Sequence, residues 1–203
     1  MADSLPTLGW LGGIGLYMLA MAGTPGPNNL LLAASGLRYG FVRTLPFIAG
    51  ILVGMTSQLA LVAFGLGTIL SRMPPLAILL KIAGTCYIVW LAVSLWRGAA
   101  RPSDDSATRP LSLLRGAVLQ YVNPKSWVAI LTLVSTSLAG REPGVWEWAA
   151  AATVYVVTIG ASCCAWAGFG TALRRLLTST RASRVVSRAF AVCVLISAAL
   201  LWL

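Results

Sequence analysis

Charged residues divide the chain into six long blocks that are mostly apolar. The blocks run approximately over residues 5–37, 44–71, 75–96, 116–140, 148–173 and 185–203. A bilayer core roughly 30 Å thick needs about 20 helical residues to cross it, and all six blocks qualify, one of them overlong and two short. We therefore predict an all-α integral membrane protein with six transmembrane helices, folded as a single membrane domain over residues 1–203.

The composition supports a membrane location. Of the 203 residues, 58% are hydrophobic and 10% are charged, and the mean hydropathy is +0.84. This surplus of apolar side chains exceeds what the interior of one soluble domain can bury, so most of them must face lipid or each other. The N-terminus offers Asp3 and no basic cluster before its apolar stretch, which favours a retained first span over a cleaved signal.

The basic residues predict an orientation. The loops after the first, third and fifth blocks hold Arg38, Arg43, Arg97, Arg101, Arg109, Arg115, Arg174, Arg175, Arg181, Arg184 and Arg188, whereas the opposite side receives Arg72, Lys81 and Arg141. Because basic loops stay in the cytoplasm, both termini are predicted to lie outside. The formal charge of +10 then follows from topology and contact with membrane lipid, and no nucleic-acid partner is predicted.

The first block contains a run of helix breakers, Thr24-Pro25-Gly26-Pro27-Asn28-Asn29. A continuous helix from Ser4 to Leu37 would extend roughly 50 Å, so the prolines should break it and free the carbonyls of Met21 and Gly23. Irregular backbone survives in a membrane only where protein or a polar cavity satisfies it, which makes this run a candidate functional centre. The helix that resumes at Asn28 would present unpaired amides and a partial positive charge suited to a carboxylate.

The fourth block is interrupted by Asn123-Pro124-Lys125, where Pro124 should free the carbonyl of Gln120. Lys125 lies close to the centre of that span, and an ammonium buried there costs several kcal/mol. All five acidic residues fall in loops or near block ends: Asp3, Asp104, Asp105, Glu142 and Glu147. Lys125 is therefore predicted to face water, carbonyls or an anionic ligand. A purely structural lysine on a kinked packing helix is the alternative.

Residues 98–110 have the composition of a solvated linker, and they divide the chain into possible pseudo-repeats, 1–97 and 111–203. Each half would contain three spans, the first of them broken by proline. This pattern is typical of transporters built from inverted repeats, so we predict two inverted three-helix repeats.

These residues together resemble the LysE/RhtB family of bacterial amino-acid exporters. The resemblance covers essentially the whole chain and is carried by Thr24-Pro25-Gly26-Pro27-Asn28, Gly36, Gly40, Gly50-Ile-Leu-Val-Gly54, Gly116 and Asn123-Pro124-Lys125. It implies efflux of amino acids or related metabolites from the cytoplasm across the inner membrane, driven by the electrochemical gradient. Lysine exporters that this chain resembles tend to follow Asn-Pro with an acidic residue, whereas here Lys125 follows it. Repulsion from that cation favours a neutral amino acid as substrate.

The predicted substrate site comprises Thr24, Pro25, Gly26, Pro27, Asn28, Asn29, Asn123, Pro124 and Lys125. The amides around Asn28 and Asn29, together with Lys125, would hold the substrate carboxylate. The freed carbonyls and the side chains of Thr24, Asn28 and Asn123 would hold its ammonium. The two halves would rock about this site in alternating access. Proton exchange at Lys125 and movement driven by the potential alone are both compatible with these residues.

Other classes fit less well. The chain has no histidine and no deep carboxylate, so it lacks a base for hydrolysis or group transfer, and we predict no enzyme activity, no metal site and no cofactor. Its cysteines, Cys86, Cys163, Cys164 and Cys193, form no Cys-x-x-Cys pair of a thiol relay. A non-transporting assembly or scaffold subunit, and an exporter of a different small solute, are the alternatives. Glycine pairs such as Gly9 and Gly13 are compatible with a homodimer.

Overall fold

The computed structural model describes residues 8–65, 74–99, 110–137, 144–177, 179–199 and Trp202. Within these ranges the chain forms eight α-helices and no strand: α1 Leu8–Gly23, α2 Pro27–Tyr39, α3 Phe41–Ala63, α4 Pro74–Ala99, α5 Leu113–Val122, α6 Pro124–Ser137, α7 Val145–Leu176 and α8 Thr180–Ala199. Four segments are long and apolar enough to cross a membrane, Phe41–Ala63, Ile78–Arg97, Val145–Leu176 and Arg181–Ala199, and α1 is a shorter apolar helix. The all-α class is confirmed. The count of six spans and the inverted repeats stay predictions.

Both helix breaks lie where the prolines predict them. α1 ends at Gly23 and α2 begins at Pro27, and α5 ends at Val122 before α6 begins at Pro124. Proline suits the first position of a helix because its missing N–H would be unpaired there in any case. Asn123 caps α6, since its Oδ1 accepts a hydrogen bond of 3.1 Å from the backbone N of Lys125. The predicted half-helix after the first break is confirmed.

Helix α2 is buried on almost all sides. Its buried residues are Pro27 and the whole run 29–37, and it packs against α3, α7 and α8. The hydroxyls of Ser35 and Thr44 meet at 2.9 Å and join α2 to α3. Because protein surrounds almost all of α2, the first break lies inside the helix bundle. There the irregular backbone of the break can form hydrogen bonds with polar groups of the protein.

Glycines bring several helix pairs into backbone contact. A Cβ atom added at Gly36, Gly50 or Gly54 would collide with the backbone of Ala167, Leu113 or Ala117, respectively. Gly84, Gly116 and Gly170 meet the backbones of Val122, Phe47 and Ala33 in the same way. The glycines at positions 36, 50 and 54 therefore let these helices approach closely.

Gly40 and the pair Gly9 and Gly13 differ from these contact glycines. Gly40, which links α2 to α3, has a φ of 83°, a conformation that favours glycine because other residues are strained there. Gly9 and Gly13 have no other atom within 4 Å of an added Cβ in the described part of the chain. The homodimer that they suggested stays a prediction.

Several charged residues lie outside the described ranges. These are Arg72, Arg101, Arg109, Arg141, Asp3, Asp104, Asp105 and Glu142, together with the central part of the predicted linker, residues 100–109.

Glu147, which is described, accepts a hydrogen bond of 3.1 Å from the backbone N of Gly144 at the start of α7. The ammonium of Lys81 lies 4.5 Å from the ring centroid of Trp202. Glu147 therefore lies at a helix end, as the sequence predicts.

Candidate functional site

An open cavity lies where the two helix breaks meet. Its lining combines polar and apolar side chains: Met18, Met21, Ala22, Gly26, Pro27, Asn28, Asn29, Met55, Asn123, Lys125, Ser126, Ala129, Ile159, Ser162 and Cys163. Six of the predicted site residues are among them, namely Gly26, Pro27, Asn28, Asn29, Asn123 and Lys125. Thr24, Pro25 and Pro124 lie beside the cavity without lining it. The two proline motifs, which are far apart in sequence, are therefore brought together.

Lys125 connects the second break to the first. Its Nζ donates to the carbonyl oxygen of Thr24 at 2.9 Å and to the Thr24 hydroxyl at 2.7 Å. Gly26 leaves room for this side chain, because a Cβ at that position would lie 3.2 Å from Lys125 Nζ. Both partners are uncharged, as predicted from the absence of a deep carboxylate. An ammonium has three donors, so one donor is left beyond the two bonds to Thr24.

Side chains from α2, from α7 and from the break itself bond carbonyls of the first break. Asn29 Nδ2 donates to the carbonyls of Ala22 at 2.6 Å and of Thr24 at 2.9 Å. Ser162 on α7 adds a second bond to Ala22 at 2.8 Å, and the Thr24 hydroxyl bonds the carbonyl of Met21 at 2.9 Å. The carbonyl of Met21, which was predicted to be free, is thus already paired.

The first backbone amides of α2 precede the residue that donates its first helical hydrogen bond. That bond runs from Leu30 N to the carbonyl of Gly26 at 3.0 Å, and Gly26 makes no side-chain cap. The amides of Asn28 and Asn29 precede it and point toward the break, where the helix carries its partial positive charge. This end of α2 therefore favours a negatively charged group.

The second break is satisfied mainly by residues close to it in sequence. The carbonyl of Gln120, which Pro124 releases from the helix, accepts from Ser126 Oγ and from Gln58 Nε2, both at 2.8 Å. Trp127 Nε1 bonds the carbonyl of Tyr121 at 2.8 Å. The Gln120 oxygen is therefore paired within the protein, and its predicted contact with a substrate ammonium stays a prediction.

A network of side-chain amides joins the two breaks. Asn28 Nδ2 donates to Gln120 Oε1 at 2.8 Å, while Asn28 Oδ1 accepts from Gln120 at 3.3 Å and from Asn123 at 3.2 Å. Asn28 and Asn123 bond each other through these amide groups, and their role as partners of a substrate ammonium stays a prediction. Their evident role is to hold the start of α2 against the second break.

Sequence reasoning missed four polar side chains around the cavity. These are Gln58, the side chain of Gln120, Ser126 and Ser162. Each is an uncharged polar residue within an apolar block, and such residues commonly form hydrogen bonds between membrane helices. That signal was available in the sequence, although it does not say which helices the residues join.

The remainder of the lining is apolar, and the described residues contain no group of three His, Cys, Asp or Glu side chains that could hold a metal ion. A cavity between broken helices in a membrane bundle, with one ammonium and uncharged polar groups at its polar end, is the architecture of a carrier for small solutes. The site has the groups to bind an organic anion or a zwitterion.

Comparison with known proteins assigns the family. The sequence model of the LysE type translocator family matches residues 19–203, so the chain belongs to this family. It is 35% identical over 158 residues to the cysteine/O-acetylserine efflux protein of Escherichia coli O1:K1 / APEC, covering 76% of this chain and 77% of the relative. The protein of the same name from E. coli strain K12 is 34% identical with the same coverage. No solved structure matches the chain.

The family membership confirms the resemblance predicted from the two proline motifs. The chain is a transporter and not an enzyme, and it is a multi-pass membrane protein of a family whose matched relatives are efflux proteins.

Proposed function

We propose that this chain exports a neutral amino acid from the cytoplasm across the bacterial inner membrane by alternating access. The observation that carries the proposal is the position of Lys125, whose ammonium lies at the meeting point of the two helix breaks and lines the cavity. The relatives are named for efflux of cysteine and O-acetylserine, which both carry a carboxylate and an ammonium on one carbon. These two compounds are the first substrates to test.

The substrate carboxylate is held by Lys125 and the start of α2. Lys125 has a donor beyond its two bonds to Thr24, and the amides of Asn28 and Asn29 precede the first helical bond of α2. A charge-assisted hydrogen bond contributes about 1.5–3 kcal/mol, and the end of the helix adds a smaller attraction to an anion.

The substrate ammonium is held by hydroxyl oxygens. Ser126 and Ser162 line the cavity, and both donate their hydrogen to backbone carbonyls. A hydroxyl whose hydrogen is already used presents lone pairs, so these two oxygens act as acceptors. Two serine side chains therefore take the place of the freed carbonyls that the prolines were expected to supply.

The same charges reject other substrates. A second cation on the substrate would meet Lys125 without a carboxylate among the lining residues to balance it. Basic amino acids are therefore expected to be poor substrates, as the sequence analysis predicted.

Transport requires that the cavity open to each side in turn. If each broken pair, α1 with α2 and α5 with α6, crosses the membrane as one unit, the chain has six spans in two halves that each begin with a broken helix. Inverted repeats of this kind rock about a central site. The distribution of arginines supports external termini and basic loops in the cytoplasm. Whether a proton is exchanged is part of the experiment below.

The test uses Lys125→Met, which keeps the length of the side chain and removes the charge. Wild-type protein in proteoliposomes is assayed with the twenty common amino acids, homoserine and O-acetylserine, with and without an imposed proton gradient. We expect the transport rate at low substrate concentration to fall about 100-fold in Lys125→Met, as loss of a charged hydrogen bond implies. Lys81→Met, which changes a lysine that does not line the cavity, is the matched control.

Two results would contradict the proposal. Wild-type rates in Lys125→Met would show that the cavity is not the substrate site. Absence of transport by the wild type for every amino acid tested would favour the scaffold alternative.

A further inference from the structure

Four apolar cavity residues lie in one layer, one or two helical turns from the polar groups. Met18 and Met21 precede Thr24 on α1, Ala129 follows Lys125 by one turn on α6, and Ile159 precedes Ser162 by about one turn on α7. We call Met18, Met21, Ala129 and Ile159 the apolar layer.

Contacts between the helices show that these positions are level with one another. Gly15 of α1 lies beside Val154 of α7, and further along the same two helices Ser162 bonds the carbonyl of Ala22. α1 and α7 therefore run in the same direction, with Ile159 beside the stretch of α1 that carries Met18. The Tyr17 hydroxyl reaches the carbonyl of Ala129 at 3.5 Å and brings α6 to the same level.

We infer that the apolar layer is the subsite for the side chain of the substrate, and that it selects amino acids with flexible, uncharged side chains of the unbranched aliphatic or thioether type. The inference rests on the proposed function. It gives a role to the apolar part of the cavity, which has none in the proposed function.

The placement follows from the shape of an amino acid. Its side chain leaves the α-carbon away from the carboxylate and the ammonium. With those groups at Lys125 and Ser162, the next surface along each helix is the apolar layer. Met18, Ala129 and Ile159 are at most 5% exposed, so a side chain that enters the layer meets surfaces already removed from water.

The residue types of the layer determine which side chains fit. Methionine is flexible and polarisable, and it adapts to ligands of different length. None of the four side chains offers a hydrogen-bond partner. A charged or strongly polar side chain would lose its hydration there without compensation.

The experiment uses a series of unbranched amino acids that differ by one methylene: alanine, 2-aminobutyrate, norvaline and norleucine. Each competes with a labelled transported amino acid in proteoliposomes containing the wild-type protein. Burial of one methylene implies about a fourfold gain in affinity, so apparent affinity should rise along the series. Methionine, which has the length of norleucine, should bind about as tightly.

Two variants test the layer itself. Ala129→Leu fills it, and norleucine should lose at least tenfold in affinity relative to alanine. Ile159→Ala removes wall contacts, and it should weaken norleucine severalfold while alanine is unchanged. This second variant keeps the inference testable if Ala129→Leu fails to fold. Ala161→Leu makes the same change as the first variant at an exposed position on α7 and should leave the series unaltered.

The outcomes separate this inference from the proposed function. The subsite is wrong if amino acids are transported but the apparent affinity does not change along the series. It is also wrong if both variants lower the affinities for alanine and norleucine equally. In either case the proposed polar site is not contradicted. If the wild type transports no amino acid, the proposed function fails first.

Discussion

Most hydrogen bonds at the break between α5 and α6 come from residues close to it in sequence. The carbonyls at the break between α1 and α2 depend also on donors from other helices. At the second break, Asn123, Ser126 and Trp127 all bond backbone atoms within a few residues of themselves. At the first break, Lys125 on α6 and Ser162 on α7 supply bonds to the carbonyls of Thr24 and Ala22.

This difference assigns the two breaks different mechanical roles. The second break keeps most of its hydrogen bonds when α5 and α6 move as a unit, because its donors other than Gln58 on α3 travel with it. The first break must exchange partners whenever α6 or α7 moves relative to α1. A substrate that binds Lys125 and Ser162 acts on these same contacts, so its binding energy can be coupled to the movement of helices.

The largest expected contrast compares the two asparagines. Asn29→Ala removes both bonds to the carbonyls of Ala22 and Thr24, and we expect the free energy of unfolding to fall by about 2–3 kcal/mol. Asn123→Ala removes a helix cap and one contact to Asn28, with an expected loss of about 1 kcal/mol. Thermal unfolding in detergent measures both. An equal or larger loss for Asn123→Ala would contradict the comparison.

A smaller contrast compares the two serines. Ser162→Ala removes an acceptor for the substrate ammonium and a bond to the first break, so we expect KM to rise about tenfold. Ser126→Ala should raise KM about threefold or less, because the carbonyl of Gln120 keeps its bond from Gln58. Initial transport rates over a range of substrate concentrations measure both values. If the two variants raise KM equally, the serines have equivalent roles and the asymmetry between the breaks does not extend to binding.

The smallest effect on transport is expected at Trp127. Trp127→Phe keeps an aromatic ring against Tyr121 and loses the bond from Nε1 to the Tyr121 carbonyl. We expect the free energy of unfolding to fall by about 1 kcal/mol and the transport rate per folded protein to stay within about threefold of wild type. Unfolding and transport are measured on the same preparation. A large loss of transport with unchanged stability would mean that the second break also takes part in the movement.

The sequence alone predicts the breaks and their meeting, because proline and a central lysine have strong and local physical consequences. Pro25, Pro27 and Pro124 cannot continue a helix, and Lys125 cannot remain unpaired at the centre of a span. These constraints were sufficient to predict where α2 and α6 begin, to within one residue, and to include carbonyls among the groups that Lys125 would face.

The remaining partners could not be predicted in the same way. Ser162 and Gln58 bond residues that lie far from them in the chain, and their pairing depends on how the helices pack. The carbonyls released by proline were predicted to bind a ligand, but donors from the protein already form hydrogen bonds with several of them. A sequence shows how many polar groups the chain has. Whether each of these groups bonds a ligand or a neighbouring helix depends on how the helices pack.

The burial of α2 has a consequence for biosynthesis. α2 ends at Tyr39, while two of the helices that enclose it, α7 and α8, begin only at Val145 and Thr180. During synthesis α2 therefore leaves the ribosome long before its enclosure exists. Its asparagines and serine must stay hydrated or transiently paired until these helices arrive, and one of them, α7, also supplies Ile159, Ser162 and Cys163 to the cavity that α1 and α2 begin.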